Sequence, residues 1–156
     1  MMEISMTLTR RRVLALTAGA AVLPALQFLP GSAFAAAEDA AKVVGDFAGG
    51  KELQTGKIKL TAPEIAENGN TVPITVEVDS KMADGDMVES VMILADGNPR
   101  PEVATFHFTA LSGAAAATTR MRLAKTQNVI ALAKMADGSV YMDKKEVKVT
   151  IGGCGG

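Results

Sequence analysis

The strongest constraint on the fold of this chain is a series of short segments with apolar residues at every second position, each closed by a turn signal. In 72–78, Val72, Ile74, Val76 and Val78 share one parity. In 103–111, Phe106 and Phe108 flank His107, and in 120–123 Arg120 and Arg122 alternate with Met121 and Leu123. Near the end, Val147, Val149 and Ile151 alternate with Glu146, Lys148 and Thr150. Successive side chains of a strand point to opposite faces, so a period of two reads as a half-buried strand. Short strands are also expected over 57–60, 129–135 and 139–142, and the mostly apolar run 88–95 reads as a strand buried on both faces. Asn68-Gly69-Asn70, Asp84-Gly85, Asn98-Pro99-Arg100-Pro101 and the hairpin signal Ala136-Asp137-Gly138 supply turns, and 112–118 reads as a loop of small residues. One helix is expected over 38–47, where Ala40, Ala41, Val43, Val44 and Phe47 fall at helical spacing before Gly49-Gly50. Several short strands with regular turn signals predict an all-β sandwich.

The N-terminus reads as a targeting segment. Thr9-Arg10-Arg11-Arg12-Val13-Leu14 carries the twin-arginine pattern, with Arg10 and Arg11 as the signal pair. A mostly apolar run, 13–29, follows, and Ala33-Phe34-Ala35 is a small-x-small cleavage site ending at Ala35. The rival reading is a membrane anchor, against which Pro24 and the cleavage signal both count. The expected organisation is a cleaved signal peptide over 1–35, a sandwich domain over 36–151, and an arm over 152–156. Without residues 1–35 the chain keeps 13 basic and 16 acidic residues, a net charge of −3. Near-neutral charge gives no reason to expect nucleic acid or an anionic membrane as partner.

The arm holds the chemistry. Ile151-Gly152-Gly153-Cys154-Gly155-Gly156 contains the only cysteine of the chain. Gly152, Gly153, Gly155 and Gly156 bring no side chain that could shield the sulfur, and ordering them costs the most backbone entropy, so a mobile, narrow arm is expected. Two glycines before Cys154 add about 7 Å of reach, and peeling of 148–151 would extend this to roughly 20 Å. A lone cysteine excludes an intrachain disulfide, and one cysteine with one histidine does not make a usual zinc site, so no metal and no cofactor are expected. The nearest basic residue in sequence, Lys148, lies six positions back, so the thiol is not expected to be self-activated and no catalytic residue is assigned. Activation or oxidative coupling would come from a partner. A disulfide with a second copy is the expected off-state.

The segment Val149-Thr150-Ile151-Gly152-Gly153-Cys154-Gly155-Gly156 resembles the C-terminus of the SoxY family of sulfur carriers. The resemblance extends to Pro63, Ala66-Glu67-Asn68-Gly69-Asn70, Val72-Pro73, Asn98-Pro99, Pro101, Thr119-Arg120, Arg122, Ala133 and Asp137-Gly138. It implies an immunoglobulin-like β-sandwich with a short N-terminal helix, located in the periplasm after export by the twin-arginine pathway. It implies a heterodimer with a SoxZ-like subunit. Cys154 would hold sulfur intermediates covalently during thiosulfate oxidation. A haem-containing cytochrome would couple thiosulfate to it, a hydrolase would release sulfate, and a sulfur dehydrogenase, where present, would oxidise what remains. The chain itself would be a carrier and not an enzyme. Other readings of the residues stay open here. They are a thiol oxidoreductase, and an exported β-sandwich binding module whose cysteine serves only in intermolecular disulfides. Arg120 and Arg122 read as a solvated strand face, with guidance of an anionic substrate or partner as the alternative, His107 as a structural or interface residue, and the mature methionines as core filler or interface.

Overall fold

The computed structural model describes residues 31–150. Arg10, Arg11 and the arm residues Gly152, Gly153, Cys154, Gly155 and Gly156 lie outside the described residues.

The chain opens with helix α1, Gly31–Ala48. It begins seven residues before the expected 38–47, because alanine, the strongest helix former, dominates 33–41. The expected cleavage site at Ala35 therefore falls within the helix. Gly49 ends it with a left-handed φ of 58° and donates its N–H to the Gly45 carbonyl at 3.0 Å. Ala41, expected on the inner face, is exposed, while Ala40 is buried.

Nine strands follow: β1 Leu53–Gln54, β2 Ile58–Thr61, β3 Ile65–Ala66, β4 Val72–Val78, β5 Val88–Ala95, β6 Glu102–His107, β7 Ala115–Met121, β8 Gln127–Met135 and β9 Val140–Val149. They form two sheets, one in the order β2-β4-β7 and the other β1-β9-β8-β5-β6 with β3 also paired to β9. Two such sheets form the all-β sandwich that the alternation predicted, in the immunoglobulin-like form that the family resemblance implied. Ile58, Leu60, Ile74 and Val76 from the smaller sheet meet Val91, Ile93, Val129, Ala131 and Val147 from the larger one in the main core. The outer face of the larger sheet presents Leu94, Ile130 and Leu132, and Val43, Val44 and Phe47 of α1 cover it. This second layer explains why 88–95 reads as apolar on both faces.

Four expectations need correction. The small-residue stretch 112–118 is not simply a loop: a 3-10 turn at Ala110–Ser112 leads into β7, which pairs with β4 from Val72↔Met121 to Val78↔Ala115. Its alternation is real, with Ala115 and Met121 buried and Ala116, Thr118 and Arg120 exposed, but alanine on both faces hides it. The segments 139–142 and 146–151 are one strand, β9, whose polar stretch Asp143-Lys144-Lys145-Glu146 masks the continuity. The strand read over 103–111 stops at His107, and that over 120–123 stops at Met121. The two-residue strands β1 and β3 carry no periodic signal of their own.

Candidate functional site

Residues 151–156, which include Cys154, follow the end of β9 in sequence, so this end of the sandwich is the candidate site. β8 flanks β9 on one side, with Gln127 opposite Val147, and β3 flanks it on the other in parallel, with Ile65 opposite Lys148 and Ala66 opposite Val149. Lys148 N–H donates to the Glu64 carbonyl at 2.9 Å, and Thr150 N–H donates to the Ala66 carbonyl at 3.1 Å. Between them, Val149 N–H donates to Thr126 Oγ1 at 2.9 Å. The Thr150 hydroxyl also reaches the Glu67 carbonyl at 3.4 Å. These bonds oppose peeling of 148–150, and the described chain is held through Thr150. From there, four residues carry the backbone at most about 13–14 Å to Cys154.

Two loops brace this root. Asn68-Gly69-Asn70 is the expected turn, closed by Asn70 N–H donating to Asn68 Oδ1 at 2.9 Å. It is also a packing element, because the Gly69 carbonyl accepts the Leu123 N–H at 2.8 Å. Arg122 is exposed, as expected, and also reaches across to this turn. Its Nε and Nη2 donate to Asn70 Oδ1 at 3.1 and 2.8 Å. Arg120 is exposed on the outer face of β7, as expected.

The second brace is centred on residues that the sequence did not single out. Gln127 is buried, accepts the Gly97 N–H at 2.7 Å, and donates to Asn98 Oδ1 at 3.0 Å and to the Lys125 carbonyl at 3.1 Å. Asn98 in turn donates to the Arg122 carbonyl at 2.8 Å and accepts the Ala124 N–H at 3.0 Å. Beside it, Asp96 accepts both the N–H and the side-chain amide of Asn128, at 2.9 and 2.8 Å. A buried amide must find partners, and Gln127 does so by fixing the irregular stretch 122–126 against the β5–β6 turn. The one available sequence signal was a glutamine opening a strand whose centre, 129–133, is apolar.

Two open recesses border this end. One, of about 380 Å3, is lined by Asn98, Pro99, Arg100, Arg122 and Ala124. The other, of about 700 Å3, lies between α1 and the β5–β6 turn and contains Asp39, Lys42, Asp46, Arg100 and Glu102. No group of acidic, histidine or cysteine side chains suited to a metal occurs among the described residues. His107 is exposed on β6 opposite Ser90, and Met82, Met121 and Met135 are core residues.

The family model for the sulfur oxidation protein SoxY matches residues 44–154, a span that includes Cys154. The chain belongs to the SoxY family. The structure is similar to that of the sulfur carrier protein SoxY from Chlorobium limicola f thiosulfatophilum, at 32% identity and a TM-score of 0.61, covering 74% of this chain and 99% of that one. A superoxide reductase (neelaredoxin) from Ignicoccus hospitalis aligns with a TM-score of 0.56 at 15% identity, over 67% of this chain and 97% of that one. A putative superoxide reductase from Thermotoga maritima aligns with a TM-score of 0.52 at 21% identity, over 68% and 92%. At such identities the likeness to superoxide reductases concerns the fold alone. The comparison with curated proteins returned no match. The SoxY match and the sandwich agree with the family resemblance seen in the C-terminal motif.

Proposed function

We propose that this chain is a sulfur carrier that holds intermediates of thiosulfate oxidation covalently on Cys154 and offers them to partner enzymes in the periplasm. The observation that carries this reading is the SoxY match running through residue 154, the only cysteine of the chain. The fixed root at Thr150 supports it, because a carrier needs a stable body from which a short unshielded arm can present its thiol.

The chemistry follows from the sulfur. The Cys154 thiolate and thiosulfate join through a new sulfur–sulfur bond, and the two electrons released pass to a haem-containing partner. Water then attacks the terminal sulfone on a hydrolase, releasing sulfate and two protons and leaving a persulfide on the cysteine. A sulfur dehydrogenase oxidises that persulfide where it is present. The chain supplies attachment and delivery in this scheme, and catalysis belongs to the partners. A SoxZ-like subunit forms the heterodimer, Arg10 and Arg11 direct twin-arginine export, and cleavage follows Ala35.

Mass spectrometry of the peptide 149–156, from protein purified out of its thiosulfate-grown host, tests the proposal. Sulfur, sulfonate or thiosulfonate increments on Cys154, removed by reductant where the bond is sulfur–sulfur, are the expected result. A free thiol throughout active sulfur oxidation, or only a disulfide between two copies, would overturn it in favour of a binding module with an incidental cysteine.

A further inference from the structure

We propose that Asn68 is a site of self-modification: in the folded chain the Gly69 backbone nitrogen displaces its side-chain amide, and the residue ends as aspartate. This concerns the body alone and does not depend on the sulfur chemistry of Cys154.

The step needs only water and base. The Gly69 nitrogen gives up its proton and bonds to Asn68 Cγ, the Cγ–Nδ2 bond breaks, and ammonia leaves with a proton from water. The product is a cyclic imide, which a second water opens. Cleavage of the new bond to Cγ gives aspartate. Cleavage of the original peptide bond gives isoaspartate, with the chain rerouted through the side chain.

The chain has four asparagines, at 68, 70, 98 and 128, and the structure sets the first apart. Asn98 precedes Pro99, whose nitrogen has no proton to give up. Asn128 lies in β8, its side-chain amide donates to Asp96 Oδ2 at 2.8 Å, and the branched Val129 follows it. Asn70 has its Oδ1 held by Arg122 Nη2 at 2.8 Å, and the branched Thr71 follows it. Asn68 is followed by glycine, whose missing side chain leaves the approach to Cγ unhindered.

Local geometry favours ring closure. Asn68 Oδ1 accepts the Asn70 N–H at 2.9 Å, which polarises Cγ and folds the side chain back over the intervening peptide. Among the described residues the Gly69 N–H donates to no acceptor, so its nitrogen is not committed elsewhere. Asn68 is exposed, so ammonia can leave and water can enter.

Packing then selects the product. Gly69 is buried, its carbonyl accepts the Leu123 N–H at 2.8 Å, and even a methyl group on it would meet the Leu123 carbonyl oxygen. Isoaspartate lengthens the backbone by a methylene immediately before this residue and would push it out of its place. Aspartate keeps the backbone path, and its carboxylate accepts the Asn70 N–H with charge assistance. The folded chain therefore favours aspartate, which puts one added negative charge on the turn that braces the end of β9.

Incubation of the purified exported chain at mildly alkaline pH, with Cys154 alkylated, provides the test. Isoelectric focusing follows the added charge, and peptide mass spectrometry with electron-transfer fragmentation tells aspartate from isoaspartate. One acidic species is expected to accumulate faster as pH rises, with the change from amide to acid confined to residue 68 and aspartate as the main product. A synthetic peptide of residues 64–74, free of the packing, should react faster and give mainly isoaspartate. The Asn68→Ser variant keeps an acceptor for the Asn70 N–H but cannot form the imide, and should lose the acidic species altogether. Asn68→Asp, which is the product itself, should keep the native amide resonances of Val149 and Thr150. Intact Asn68 after the peptide is consumed, equal amide loss at the other three asparagines, or isoaspartate as the main product of the folded chain would overturn the proposal. So would displaced Val149 and Thr150 resonances in Asn68→Asp.

Discussion

A methyl group at Gly69 would collide with the Leu123 carbonyl oxygen and come within 2.9 Å of Val149 Cγ1. The glycine of this turn therefore sets how closely two loops approach the root of the arm. Gly69→Ala is expected to destabilise the fold by about 1–3 kcal/mol, as overpacking does, and chemical denaturation measures it. Broadened or shifted amide resonances at Val149 and Thr150 should accompany the loss. At the opposite end of the smaller sheet, the Lys57 ammonium lies 2.6 Å from Asp86, whose carboxyl also accepts the Lys81 N–H at 2.9 Å. These bonds, that to Lys57 first, hold the Asp86 carboxyl below its ordinary range, and the same bond raises Lys57. A carboxyl depressed by folding stabilises the native state above its unfolded pKa, about 3.9, and that contribution is lost as pH falls through the lower folded value. Asp86→Asn is accordingly expected to melt below the wild type at pH 7, with the gap closing at strongly acidic pH. Thermal melts across that range give the test.

At the scale of elements, the two sheets are joined by more than apolar packing. Leu60 of β2 is fully buried, and its N–H donates to Asp143 Oδ2 of β9, in the other sheet, at 2.7 Å. Asp143→Ala leaves that buried donor without its acceptor and is expected to cost about 1–3 kcal/mol in urea unfolding. Asp143→Asn, which keeps an acceptor, should recover much of it. Asp143 also shows why this part of the fold was hard to read. A polar residue in mid-strand splits β9 in the sequence into two apparent segments, yet its side chain is engaged across the sandwich. β7 was obscured for the opposite reason, since alanines on both faces erase the contrast that a period of two needs. Where branched apolar residues alternate with polar ones, as at Val72, Ile74, Val76 and Val78, the strand was plain. The site divides in the same way. Cys154 and its glycines stand out by composition, and Asn68-Gly69-Asn70 as a turn. The brace around Gln127 and Asn98 depends on contacts between residues 29 positions apart, and no local pattern announces those.

Residues 31–150 fold as one body, and the cysteine proposed to carry the chemistry follows it in sequence. Cys154→Ser is expected to leave the melting temperature and the association with a SoxZ-like subunit unchanged while abolishing thiosulfate-dependent growth and every sulfur adduct on the peptide 149–156. A fall in thermal stability, or continued sulfur oxidation, would contradict that separation of body from thiol. The parallel pairing of β3 with β9 has a mechanical consequence. Traction on residue 154, directed along β9, loads the bonds at Lys148, Val149 and Thr150 together in shear, instead of opening them one after another. On the proposed carrier reading, a catalyst that draws the sulfur inward would haul the sandwich up against its own entrance, where the body would act as a stopper.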